Sequence, residues 1–170
     1  ALAVAAGLGI RDMPKPMPKV MAQDVTPEVS ASSALSLFAR PGDGSIRTRR
    51  VAILVADGCD GDALVALSDR LTSEGAVPRF VSTTLGSVQP GAGDAIEVDV
   101  SLEAAPAVLY DALVLPDGTE AIKALRADGR TLEFIKDQYR HCKPILAVGA
   151  SDQLLTACAI DTALPGGQPD

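Results

Sequence analysis

The rhythm of apolar and polar positions changes near residue 50. From there the chain reads as short continuous apolar runs separated by amphipathic stretches. Val51-Ala52-Ile53-Leu54-Val55 is unbroken by any polar side chain, as expected of a strand buried on both faces of a parallel sheet. Beyond Asp57-Gly58, Asp60 or Gly61 is placed to cap a helix over residues 62–74. Leu64, Leu67 and Leu71 recur there at helical spacing, and Gly75 stands at the position that ends helices in a left-handed conformation. Residues 77–81 predict a second strand. A Gly-rich excursion over 85–93 follows, then a short alternating strand over 96–100.

The second half repeats the theme. Residues 111–115 predict a third buried strand, closed by Pro116-Asp117-Gly118. Helices are expected over 119–127, with Ile122 and Leu125 inward, and over 131–141, with Leu132, Ile135 and Tyr139 inward. Residues 144–148 predict a fourth strand, and Ser151 is placed to cap a helix over 152–158. This order predicts an α/β fold: an open, doubly wound, mainly parallel sheet with helices on both faces, flavodoxin-like. Ligands in such sheets sit at the carboxyl ends of the strands, so residues 57–61, 116–118 and 149–151 are expected to converge on one site.

Residues 1–45 have a different texture, with Pro14, Pro16, Pro18, Pro27 and Pro41 among small polar residues. Met13-Pro14-Lys15-Pro16-Met17-Pro18 cannot be helical, because each proline removes a donor and pushes its predecessor out of the α region. Residues 1–7 are expected to be the end of a helix, so 1–45 reads as helix remnant and linker and 46–170 as the sheet domain.

Composition narrows the function. Hydrophobic residues make up 47% and aromatics only 3%, so the core must come from Ala, Val, Leu and Ile. A net charge of −7 leaves no basic surplus for nucleic acid, and Arg47-Thr48-Arg49-Arg50 reads as a solvated start to the first strand. Cys59, Cys142 and Cys158, odd in number and without CxxC spacing, point to reduced thiols of a cytoplasmic protein. The apolar residues 1–10 lack a basic flank and are too few to span a bilayer, so no membrane partner is expected.

Several chemistries meet weak candidates. With one His, no HExxH and no paired CxxC, no metal site is expected; Asp57, Asp60, Asp62 and Asp117 read as turn carboxylates and caps. Gly58-x-x-Gly61 lacks the first glycine of a dinucleotide fingerprint and nothing reads as a P-loop, so no cofactor is expected in the chain. His141-Cys142 are adjacent on a helix and do not face each other.

Residues 51–61, 111–118 (Asp111-Ala112-Leu113-Val114-Leu115-Pro116-Asp117-Gly118) and 143–150 (Lys143-Pro144-Ile145-Leu146-Ala147-Val148-Gly149-Ala150) resemble three motifs of the PfpI-like, class I glutamine amidotransferase superfamily. They correspond to its first strand and elbow, its strand ending in Pro-Gly-Gly, and its strand leading to the nucleophile. Where that family's protease-like members carry Cys-His, this chain has Gly149-Ala150, so the covalent route is expected to be closed. Asp60 stands for the family's glutamate, and Asp117-Gly118 replaces Gly-Gly at the oxyanion site. Cys59, Asp60, Asp117, Gly118, Gly149 and Ala150 are therefore expected to form a vestigial pocket without catalytic residues.

One catalase subgroup carries such a degenerate domain. Ala34-Leu35-Ser36-Leu37, Arg40-Pro41-Gly42-Asp43-Gly44 and Arg49-Arg50-Val51 resemble the join in large-subunit catalases, and Val4-Ala5-Ala6-Gly7-Leu8-Gly9-Ile10 resembles the end of their helical region. The resemblance implies a parent homotetramer that disproportionates hydrogen peroxide at haem, under oxidative stress, in a catalase core outside this chain. The chain itself would bind no haem and would serve stability and assembly. It implies two alternatives: holdase-type chaperone activity toward unfolded clients, or residual hydrolase or glyoxalase activity using Cys59. It also implies a last strand and helix beyond residue 170, leaving one apolar face to be covered.

Overall fold

The computed structural model describes residues 2–9, 12, 15, 17, 26, 28–30, 32–39, 42–163 and 167–168. The chain divides into two compact units, Ala1–Ser45 with Thr162–Asp170, and Ile46–Asp161. In the first unit, α1 spans Leu2–Gly7 and a short 3₁₀ turn spans Leu37–Ala39. Pro14, Pro16, Pro18, Pro27 and Pro41 lie outside the described residues, as do Ile10, Leu164, Pro165 and Gly166.

The second unit contains β1 (Arg50–Leu54), α2 (Gly61–Ser73), β2 (Val77–Ser82), β3 (Gly86–Val88), β4 (Ile96–Val98) and β5 (Val100–Ser101). It continues with β6 (Ala112–Leu115), α3 (Thr119–Ala127), α4 (Gly129–Arg140), β7 (Ile145–Ala147) and α5 (Asp152–Ala157). The main sheet runs β5-β2-β1-β6-β7, with each adjacent pair parallel. From β1 the connection through α2 moves one way along the sheet; from β6 the connection through α3 and α4 moves the other way. Because both crossovers follow the right-handed rule, their helices lie on opposite faces. The doubly wound α/β expectation is met, and the strand order reverses between β1 and β6.

The core follows from the apolar runs. Ala52, Ile53, Leu54 and Val55 are fully buried, as are Leu115, Leu125, Ile135 and Leu154. Asp60 caps α2 by accepting from the Ala63 amide at 3.2 Å, and Gly75 follows the helix with φ 84°. The basic run is absorbed locally. Arg49 lies 4.0 Å from Asp111, and Arg50 stacks over the Tyr110 ring at 5.6 Å.

The structure corrects five expectations. The alternating strand over 96–100 splits in two: β4 pairs antiparallel with β3 in a hairpin, whereas β5 joins the main sheet. Asp99 makes the turn between them, exchanging bonds with Phe80 through its own amide (3.0 Å) and through the carboxylate, which accepts the Phe80 amide at 2.7 Å. The Gly-rich excursion therefore contains a strand, β3, that its glycines concealed. Helix α4 begins at Gly129, because the Asp128 carboxylate accepts the Arg130 amide at 2.8 Å. Its buried face is Thr131, Phe134, Ile135 and Gln138; Ile135 is inward as expected and Leu132 packs against the core, whereas Tyr139 is 46% exposed. Ser151 makes no capping bond, since it sits in a helical conformation inside a 3₁₀ turn (Gly149–Ser151) that leads into α5.

Candidate functional site

The carboxyl ends of β1, β6 and β7 bring the three nominated turns together at the strand-order reversal. The Asp60 amide donates to the Asp117 carbonyl at 3.2 Å, joining the first turn to the second. The Asp117 carboxylate accepts the Gly118 amide at 2.8 Å and the Ala150 amide at 3.1 Å, joining the second to the third. These two amides hold the Asp117 carboxyl below its ordinary range, since both bonds favour the charged form. All six nominated pocket residues, Cys59, Asp60, Asp117, Gly118, Gly149 and Ala150, are thus on these converging turns.

Glycine is required at the crossing. Gly118 has φ 117°, and a Cβ there would overlap the Gly58 carbonyl oxygen, so α3 can approach the first turn only without a side chain at its cap. Gly149 has φ 57°, and a Cβ there would overlap the Asp117 carboxylate.

Cys59 is 0% exposed in the first turn. Burial pushes its thiol up, Asp60 and Asp57 add to the rise, and hydrogen bonds to the Ala56 and Cys59 backbone only partly oppose it. A thiol in this state is protonated at neutral pH, and its neighbours include no imidazole from the three turns, whose sequences contain none. His141 stands at the C-terminal cap of α4, and Cys142 takes the left-handed position after it, with φ 53°.

The sequence reading missed one component of this region, the segment 89–92. It lies over the first turn: Gly58 donates to the Gln89 carbonyl at 2.9 Å, and Gln89 donates to the Asp57 carboxylate at 2.8 Å. Gly91 donates to the Cys59 carbonyl at 2.9 Å, and Gly61 to the Ala92 carbonyl at 3.0 Å. The only available signal was Asp57, a carboxylate at a strand end with no helix of its own to cap. Among the described residues, no group of three or more His, Cys, Asp or Glu gathers as a metal site would require. Tyr110 is buried against Phe134, ring centroids 5.8 Å apart, so its ring is committed to packing.

Two grooves lie beyond this junction, the first of them touching it at Gly61. One, of about 720 Å³, runs between α2, β2 and β4, past Asp62, Asp69, Asp94 and Glu97. The other, of about 470 Å³, is apolar and lined by Ile46, Val51, Leu67, Leu71, Val114 and Leu146. Neither is lined by Cys59, Asp117 or Gly149.

The family model that describes the C-terminal domain found in long catalases matches residues 47–167. The chain belongs to that family. Catalase HPII of Mycobacterium avium is 34% identical over 165 residues, covering 96% of this chain and 22% of the relative. Catalase HPII of Pseudomonas aeruginosa is 32% identical over 170 residues, covering 98% of this chain and again 22% of the relative. The chain therefore spans about a fifth of the length of these curated relatives. Among solved structures, oxidized DJ-1 of Toxoplasma gondii superposes with a TM-score of 0.61 at 22% identity, covering 65% of this chain and 61% of that one. A two-domain protein of Anabaena variabilis with DJ-1/ThiJ/PfpI-like and ferritin-like domains gives 0.62 at 20% identity, covering 65% of this chain and 32% of that one. These likenesses confirm the fold of the long-catalase C-terminal domain.

Chemically, the junction of this catalase domain can hold charge but has little means to move it. Its carboxylates are acceptors already engaged by backbone donors, and its one thiol is protonated and enclosed.

Proposed function

We infer that this domain is a non-catalytic accessory module of a large-subunit catalase, whose hydrogen peroxide disproportionation takes place at haem elsewhere in the polypeptide. Its partner is the catalase core of the same chain, within a cytoplasmic homotetramer, and it contributes stability and assembly. Position 149 carries this reading. A glycine stands where elbow chemistry requires a nucleophile, with Ala150 beside it in place of a base. The long catalase with and without residues 46–170 should differ in melting temperature and tetramer recovery while turnover per haem stays equal. Equal melting and equal assembly would overturn the accessory role.

A second reading, holdase-type chaperone activity, is favoured by the apolar groove, where Leu146 is 50% exposed beside Leu67 and Leu71. Open apolar surface of this kind suits unfolded segments. Light scattering by a heat-labile client should fall with increasing chain, near one-to-one ratio. No suppression at excess chain would end this reading.

The residual-hydrolase alternative rests on Cys59, and burial opposes it. Alkylation should label exposed Cys142 first, with Cys59 and Cys158 reacting only as the domain opens. Rapid labelling of Cys59 in the folded chain, with loss of a turnover, would restore the enzymatic reading.

A further inference from the structure

Two covers lie over the first turn, and they differ in how firmly they are held. On one side stands α3, whose cap Gly118 approaches so closely that a Cβ there would lie 3.0 Å from the Cys59 Cα. Ala121, Ile122 and Leu125, all buried, fix that helix in the core. On the other side lies the tip of the β3–β4 hairpin, residues 89–95. The buried residues Val88 and Ile96, paired across the two strands, anchor its base. Between these anchors no residue is buried: Pro90 is half-buried and the rest are exposed.

The tip is held to the first turn by hydrogen bonds in place of apolar area. Gln89 and Gly91 donate to the Asp57 carboxylate and the Cys59 carbonyl, at 2.8 and 2.9 Å. Gly58 and Gly61 donate back to the Gln89 and Ala92 carbonyls, at 2.9 and 3.0 Å. Where water can replace the partner, such bonds add little net stability. A segment that buries no side chain opens at a small fraction of the global unfolding free energy. One flank also gives it room, because Asp94 and Ala95 line the groove of about 720 Å³. Beneath this tip sits Cys59, with no exposed surface.

We propose that residues 89–95 form a strap that opens as a local unit while the sheet and α3 stay folded. That opening gates the Cys59 thiol to small thiol-reactive molecules. The gate goes beyond the accessory role and does not depend on it. Gly61 supplies a handle on it. A Cβ at Gly61 would meet the strap first, with Pro90 Cγ at 2.6 Å and the Ala92 carbonyl oxygen at 2.7 Å. Gly61 opens α2 and is not among the glycines of positive φ. Gly61→Ala therefore wedges the strap without straining the helix.

The test is labelling of Cys59 in the 170-residue chain with N-ethylmaleimide, read site by site by mass spectrometry across a urea series. Global unfolding is followed in parallel by circular dichroism. Below the unfolding transition, Cys59 should label faster than global unfolding allows, at a rate nearly flat in urea. Gly61→Ala should speed that labelling by roughly tenfold beyond any change in its global stability. A wild-type rate that follows global unfolding in size and urea slope would overturn the gate. So would a folded Gly61→Ala chain that labels no faster than its stability predicts.

If Gly61→Ala does not fold, hydrogen exchange of the wild type decides. The Gly58, Gly61 and Gly91 amides, which bond across the strap, should exchange through one opening that is insensitive to urea. The Ile122 amide, bonded to the Gly118 carbonyl at 2.9 Å, should exchange only with global unfolding. Strap amides as protected as that of Ile122 would overturn it.

Discussion

At the carboxyl ends of β1 and β6, the side chains of Asp57, Asp60 and Asp117 all find donors inside the chain, and Cys59 is enclosed beneath segment 89–92. Along the α2 side of the sheet the situation reverses. Leu146 on edge strand β7 and Ile46 are substantially exposed over the half-buried Leu67 and Leu71, and the groove they line is apolar. The polar junction has used its bonding capacity on itself, whereas the apolar groove retains unspent surface. A doubly wound sheet would ordinarily present its ligand site at the first place. In this domain the first place is filled from within and the second presents open apolar area, because backbone donors can be satisfied by one internal carboxylate while an apolar face can be satisfied only by area.

The harshest challenge to the closed side is Gly118→Ala. Its Cβ would overlap the Gly58 carbonyl at a φ of 117°, so steric and backbone strain add. A loss on the order of 3–5 kcal/mol is expected in urea denaturation. A near-neutral result would show that α3 can draw back from the first turn.

Gly149→Ala comes next, at roughly 1–3 kcal/mol, because the new methyl displaces the Asp117 carboxylate. The cost should shrink in an Asp117→Gly background, and that non-additivity measures the mutual exclusion directly. Additive losses would place the strain in the backbone alone.

Acid should open the same side gently. The Asp117 carboxyl is depressed in the folded chain from an ordinary value of 3.8, so its stabilisation is present above that value. It is lost as pH falls through the folded value. Asp128, depressed chiefly by its hydrogen bonds from Arg130, acts in the same direction. Between pH 4 and 2 the urea midpoint of the wild type should therefore fall more than that of Asp117→Asn, and parallel curves would remove Asp117 from the acid response.

The smallest stability effect is expected on the open side. Leu146→Ser should change stability by no more than about 0.5 kcal/mol, the usual range for exposed positions. It should nevertheless reduce binding of a hydrophobic dye and any suppression of client scattering. Unchanged dye binding would show that the groove is not the apolar surface in use.

The open groove also bears on how readable the molecule was. The apolar runs announced β1, β6 and β7, and helical spacing announced α2 and α3, because burial on a sheet leaves its period in the residues. Glycine obscured β3, since a Gly-rich hairpin carries little apolar pattern, and the split at Asp99 was invisible because both halves alternate alike. Tyr139 was misplaced by counting from Leu132, when the buried stripe of α4 is set by Phe134 and Ile135.

What the sequence determined by itself was the class of fold and the convergence of three turns at the strand ends. Those follow from local periodicity and residue chemistry. Only the tertiary structure decided that Asp117 occupies the space beside Gly149, that segment 89–92 encloses Cys59, and that Leu146 stands open beside α2. Each depends on ångström-scale approach between segments distant in sequence, which excluded volume and hydrogen-bond direction fix only once the sheet has assembled.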